Sequence, residues 1–235
     1  RCQIDVSEHQ DAQHVQHAVD RAFEHLYELY HSPNNSVWNN NPNHTTHSVY
    51  AKTKLVVHLL NNNSHVVHLE NTINLCHSTN TTIGCFLPAK VTCDYEEGTY
   101  NHLCEVQMHG DHDVFTIDAG GSSNDGSTHD YVVEGVNVTG GLNGLTIKSD
   151  VHSVTVRDSV FHANKVYGLR ATAGHDVTVT HCQFHHNGWD GVTVDDVGLP
   201  NNGSGWAQLW GYDQNPAGDF SGNPLCNTSQ HNVST

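Results

Sequence analysis

The sequence predicts an all-β solenoid of parallel coils preceded by one capping α-helix. Three observations carry that prediction: a unit written twice, period-two alternation inside each copy, and one amphipathic stretch near the start. Residues 153–175 (SVTVRDSVFHANKVYGLRATAGH) superpose without a gap on residues 176–198 (DVTVTHCQFHHNGWDGVTVDDVG). Phe161 falls on Phe184, Asn164 on Asn187 and Gly168 on Gly191, at a constant step of 23. Inside a copy Val154 and Val156 point to one side and Thr155 and Arg157 to the other, as do Val177 and Val179 against Thr178 and Thr180. A second short strand follows each Asn/Gly corner, with Leu169 and Ala171 against Arg170 and Thr172, then Val192 and Val194 against Thr193 and Asp195. One coil therefore carries about three short strands, and the coils stack in parallel. An upstream copy, residues 130–150 (DYVVEGVNVTGGLNGLTIKSD), fits at a step of 24, with Gly144-Leu145 over Gly168-Leu169, Val132 over Val156 and Val136 over Val160.

On these residues the chain resembles the right-handed parallel β-helix family, the pectate-lyase-like superfamily of carbohydrate-binding and sugar-cleaving coils. The resemblance covers roughly residues 91–196 and implies a single-stranded right-handed parallel β-helix; it is specific for fold and not for activity. The order INLC, FLPAKVTC, CEVQMHG, VFTIDAGG and VVEGVNVTGG resembles the opening coils of secreted β-helix proteins of eukaryotic algae.

Residues 1–50 are expected to form the cap and a polar loop. Between residues 12 and 30, Val15, Val19, Ala22, Phe23, Leu26 and Leu29 recur at helical steps until Ser32-Pro33 stops the pattern, and such a helix ahead of a solenoid plugs the open end of its core. Residues 34–46 have no period and read as a loop. Residues 51–198 are assigned to the coils. LVVHLL and VVHLE around an NNNS turn suggest a hairpin or a first irregular coil, and residues 86–92, 105–108 and 114–118 read as successive short strands. After Asp196 the period is lost. Residues 199–235 are expected to be an irregular excursion that packs on the last coil or begins another, with the tail SQHNVST disordered or cut from something longer.

At 235 residues the chain suits one β-rich domain. Its formal net charge of −16 disfavours nucleic acid and anionic membranes as partners, and no run of about 18 apolar residues is present to span a bilayer. The start at Arg1 without Met is what a processed segment would show. Sequons at Asn34, Asn43, Asn62, Asn80, Asn137, Asn202, Asn227 and Asn232 point to a secreted glycoprotein. Seven cysteines fit the same compartment. Cys182 falls in the inward slot of Ser159 and Gly135 and is expected to be a buried free thiol. Cys93 and Cys104 flank the loop DYEEGTYNHL and suit a disulfide. Cys76 with Cys85 is the next expected bridge, which leaves Cys2 and Cys226 for each other.

Outward positions of neighbouring coils stack into columns about 4.8 Å apart. One column is Thr146, Arg170 and Thr193, and the next is Lys148, Thr172 and Asp195. Lys165, Tyr167, Trp189 and Asp190 lie at the corner before them, with His162 and His185 at the preceding turn. Four of nine basic residues, Lys148, Arg157, Lys165 and Arg170, cluster in this interval of an acidic chain. The expected function is binding or scaffolding of extracellular polysaccharide. Lys148, Arg170, Trp189, His162 and His185 would form the contact surface, with Tyr167 and Trp189 offering flat faces to sugar rings.

The alternative implied by the resemblance is a lyase or epimerase acting on a uronate glycan. Arg170, Lys165, Tyr167 and Asp190 are its catalytic candidates: Arg170 or Lys165 as base, Tyr167 or His162 as proton donor. A Ca²⁺ held by Asp190, Asp195 and Asp196 would neutralise the substrate carboxylate. No complete motif of a lyase, epimerase or hydrolase is present, and the same residues are what a solvated sheet face carries. A third expectation is self-assembly into an extracellular filament through open coil ends. Among 22 histidines, two groups stand out as candidate Zn²⁺ or Cu²⁺ ligands: His109, Asp111, His112 and Asp113, and His181, His185 and His186. Asn164 and Asn187 are read as a hydrogen-bonded stack that pins the coil register, and Gly168 and Gly191 as residues that allow a tight bend.

Overall fold

The structure is a computed structural model that describes residues 2–6, 11–31, 55–60, 66–77, 79–80, 83, 85, 88–118, 130–148, 151–172, 175–195, 206–211 and 231–234. Strand β1 (Cys2–Val6) precedes helix α1 (Ala12–His31), and five passes of three strand segments follow. They are β2 (Leu55–Leu59), β3 (Val67–Leu69) and β4 (Ile73–Asn74); β5 (Ala89–Cys93), β6 (Cys104–Met108) and β7 (Phe115–Ile117); β8 (Tyr131–Glu134), β9 (Val136–Thr139) and β10 (Asn143–Ile147). The fourth is β11 (His152–Arg157), β12 (Val160–His162) and β13 (Tyr167–Thr172), and the fifth β14 (His175–His185) and β15 (Val192–Asp195). Each pass gives one segment to each of three parallel ladders. Face A runs β1-β2-β5-β8-β11-β14, face B runs β3-β6-β9-β12-β14, and face C runs β4-β7-β10-β13-β15. The 11 residues of β14 bend across the first corner and serve both A and B, so these two faces form one curled sheet. The first passes are thus parallel segments, not a hairpin.

The register explains why only part of this was readable. Val133 lies beside Val156, and Val132 faces Thr155. Val160 meets Asn137 on face B, yet Leu145 meets Leu169 on face C. The upstream copy therefore runs at a step of 23 on A and B and 24 on C, because the later copy holds one more residue at the corner between its B and C strands. Aligning on Gly144-Leu145 moves the valines one position off. The same shift corrects the thiol slot: Val136 donates its N–H to Ser159 Oγ (3.3 Å), so Cys182 and Ser159 share a column with Val136, not with Gly135.

Gly135 belongs instead with Asp158 and His181, all left-handed (φ 70°, 48° and 49°), and the second corner repeats the device at Gly140, Ala163 and His186 (φ 78°, 50° and 55°). Gly135 also accepts the ring of Tyr95, which would meet a Cβ at 2.2 Å. Gly168 is not needed for a bend. A Cβ there would strike the Gly191 carbonyl at 2.6 Å and the Phe184 ring at 2.7 Å, so the residue is glycine because the passes approach closely.

Inward columns of Val, Leu, Ile and Phe form one core, with Phe161 stacked on Phe184 at 5.3 Å. Helix α1 adds Ala12, Val15, Val19 and Phe23 to that core and touches β1 and β4, the edge strands of A and C. Each such buried side chain contributes about 1.5–3 kcal/mol, alanine less, which fixes the helix across the end of the stack. Asp11 starts it, accepting the His14 N–H at 2.8 Å.

Both ends of the chain add strands to face A. Residues 2–6 join face A as a strand, since CQIDV alternates and finds the open edge of β2. At the other end β16 (Trp206–Gly211) extends face A in parallel with β14, and β17 (His231–Ser234), in the tail read as disordered or cut from something longer, pairs antiparallel with β16. Disulfides join Cys76 to Cys85 and Cys93 to Cys104, with Cα atoms 4.5 and 6.0 Å apart. Cys226 lies outside the described residues. Cys182 is a buried free thiol whose pKa burial pushes up to about 12. Asn137 sits in β9 between Glu105 and Val160, its Oδ1 buried with no hydrogen-bond partner among the described residues.

Candidate functional site

Face C carries the two outward columns that the repeat specifies. Asn74, Thr116, Thr146, Arg170 and Thr193 stand side by side across its five strands. Thr116 and Thr146 are 8% and 4% exposed and form a floor between the longer Lys148, Arg170 and Tyr167. At the corner before β15, Trp189 donates its backbone N–H to the Val166 carbonyl (2.8 Å), which holds it beside Tyr167 in the pass below. The two rings meet edge to face at 5.8 Å, and the Arg170 guanidinium lies 5.8 Å from the centre of the Tyr167 ring. Trp189 remains 68% exposed.

The lysines beside these rings are engaged by carboxylates. Lys148 Nζ donates to Asp118 Oδ2 at 2.8 Å. Lys165 Nζ donates to the Gly110 carbonyl at 2.7 Å and to Asp111, whose carboxyl the hydrogen bond holds below the usual carboxylate range. Arg157 does not join them: it stands at the end of β11 on face A, bound to Glu134 and Glu97. Three of the four clustered basic residues, Lys148, Arg157 and Lys165, therefore form ion pairs between passes on more than one face, and Arg170 lies over the Tyr167 ring.

At the other end of face C a recess of about 430 Å³ opens against helix α1, lined by Gln16, Asn74, Asp111, Asp113, Thr116 and Lys148 among others. Asp113 Oδ1 accepts the Asn143 backbone N–H (3.2 Å) and side-chain amide (2.8 Å). Gln16 Oε1 accepts the Asn74 N–H at 2.6 Å.

No family model, curated protein or solved structure matches this chain. Face C is therefore read through the chemistry of its own side chains. Lys148, Arg170, Tyr167, Trp189 and Asp190 gather there or at its corner, with Lys165 on the rim. His162 and His185 lie on face B, stacked at 5.0 Å, and burial together with His185 and His186 holds the His162 pKa below its ordinary value. The histidine groups separate. His181 stands at the A/B corner, Nδ1 3.9 Å from Asp158, while His185 and His186 are hydrogen-bonded to each other through Nδ1 atoms 2.9 Å apart. In MHGDHD, His109 turns to His68 (2.8 Å), Asp111 to Lys165 and Asp113 to Asn143. Among the described residues no three His, Cys, Asp or Glu side chains converge as metal ligands. Asp195 is described in its backbone alone, opposite Thr172, and Asp196 lies outside the described residues, so the Ca²⁺ set cannot be assembled from them. Sequence reasoning missed Gln16, Asn74 and Asp118: Gln16 lies on the polar side of helix α1, and Asn74 and Asp118 belong to passes whose long loops hide the repeat.

Among the described residues no helix is long and apolar enough to cross a membrane.

Proposed function

We propose that the chain is a right-handed parallel β-helix, exported and glycosylated, whose face C binds a neutral extracellular polysaccharide without cleaving it. The observation that carries this reading is the contrast on one surface between lysines occupied by Asp111 and Asp118 and an exposed Trp189 packed on Tyr167. Flat aromatic faces beside hydroxyl and amide groups suit sugar rings. A polyanion would have to displace carboxylates from the lysines, on a chain of net charge −16. The three-ladder cycle supports the helix assignment, and the two disulfides support an oxidising compartment.

The test is binding of the purified chain to neutral and acidic polysaccharides by calorimetry, with product release followed in parallel. Binding to a neutral glycan, about tenfold weaker in Trp189→Ala, is the expected result. Unsaturated products from a uronate polymer, abolished in Arg170→Ala, would replace this reading with the lyase.

A further inference from the structure

We infer that face C receives a chain end of a neutral glycan and not an internal stretch, an inference that rests on the glycan reading above. Strands cross this face in the order β15-β13-β10-β7-β4, so a ligand that starts on Trp189 and follows the face arrives at β4. There helix α1 stands in its way. Gln16 is fixed at both ends of its amide: Oε1 accepts the Asn74 N–H (2.6 Å), and Nε2 donates to Asp20 Oδ1 (3.0 Å) and the Cys76 carbonyl (3.4 Å). A side chain held this way is a wall and not a gate.

The open recess in front of that wall, about 430 Å³, lies in the range of roughly 300–1,000 Å³ typical of small-ligand sites and has room for a terminal sugar unit. Its chemistry also favours an end. A terminal unit carries one hydroxyl more than an internal unit, at the position where the next glycosidic bond would start. Asp113 supplies the acceptor: Asn143 occupies its Oδ1 twice, and Oδ2 has no hydrogen-bond partner among the described residues. A hydroxyl donating to a carboxylate is among the stronger uncharged-ligand contacts, enough for a roughly ten- to hundredfold preference for ends.

The experiment takes linear neutral β-glucans and β-mannans that bind the full chain and cuts each to a series of shorter lengths, measuring calorimetric capacity at constant sugar mass. Capacity that rises with the number of chain ends is expected. The isosteric Asp113→Asn variant, which keeps an acceptor for Asn143, should lose at least tenfold in affinity for ends while binding through Trp189 persists. Capacity that follows sugar mass whatever the length, or an unchanged end preference in folded Asp113→Asn, overturns the chain-end inference and leaves the glycan reading standing. Absence of binding to every glycan overturns both.

Discussion

Glu134 is the residue where charge and fold meet most directly. It is 4% exposed, and burial alone would raise its pKa; hydrogen bonds from Lys90, Arg157 and Thr92 outweigh that and hold the carboxyl below its ordinary 4.5. Such a group contributes stability that is present above the unfolded value and is lost as pH falls through the folded one. His162 acts in the same direction, since burial and its histidine neighbours hold it below 6.5 and acid must charge it against them. Thermal unfolding followed from pH 8 downward should therefore lose stability first below about 6.5 and again below about 4.5. Each 1 kcal/mol lost shifts Tm by roughly 2–4 °C in a chain of this size. In Glu134→Gln the lower step should shrink and the upper one stay; a lower step of full size in that variant would place the acid sensitivity elsewhere. None of this was visible in the sequence. Lys90, Glu134 and Arg157 become neighbours only when three passes are laid side by side.

At the scale of elements, the corner between faces B and C shows what repetition does. Asn164 Nδ2 donates to Asn187 Oδ1 (3.0 Å), Asn187 Nδ2 donates to the Phe161 carbonyl (3.1 Å), and the Gly141 N–H donates to Asn164 Oδ1 (3.1 Å). Both amides are buried, so removing one leaves backbone groups of the preceding pass without that partner. Asn187→Ala should lower stability by about 1–3 kcal/mol in chemical denaturation while the folded variant keeps its glycan affinity, since the Asn187 side chain is buried and bonds Asn164 and the Phe161 carbonyl instead of joining the outward columns of face C. This stack was legible because two copies without gaps put the same residue at the same slot. The loop between β5 and β6 was legible only as a disulfide pair. In the structure it lies along the A/B corner: Tyr95 packs on Gly135 and donates to Asp158 (3.2 Å), Glu97 meets Arg157, and Tyr100 bonds Gln183. Those contacts join residues from different passes, and no local pattern announces them.

The whole molecule is a stack that is most regular in its middle passes. Leu55 lies beside Ala89, 34 residues on, and Lys90 beside Val132, 42 residues on, whereas β8, β11 and β14 keep to 23 before β16 follows β14 at 30. Loops of unequal length explain why three repeats were readable in the sequence where the structure has five passes over its parallel ladders. They also explain why the recess at the helix-covered end was missed while Trp189 and Tyr167, within the regular passes, were found. The order in which passes are laid down has a consequence for Asn137. In β9 it is half-buried, and once Val160 pairs beside it the amide whose Nδ2 would carry a sugar is held in the extended backbone of a strand paired on both sides, between Glu105 and Val160. Asn80, by contrast, lies in an exposed turn. During vectorial synthesis a sugar transferase thus has only the interval before β12 emerges to modify Asn137, but any time to modify Asn80. Peptide mass spectrometry of chain made in a secreting eukaryotic host should find Asn80 occupied and Asn137 bare; when folding is slowed with a reductant, occupancy at Asn137 should rise, so the sequon serves as a clock for how fast the fourth pass closes.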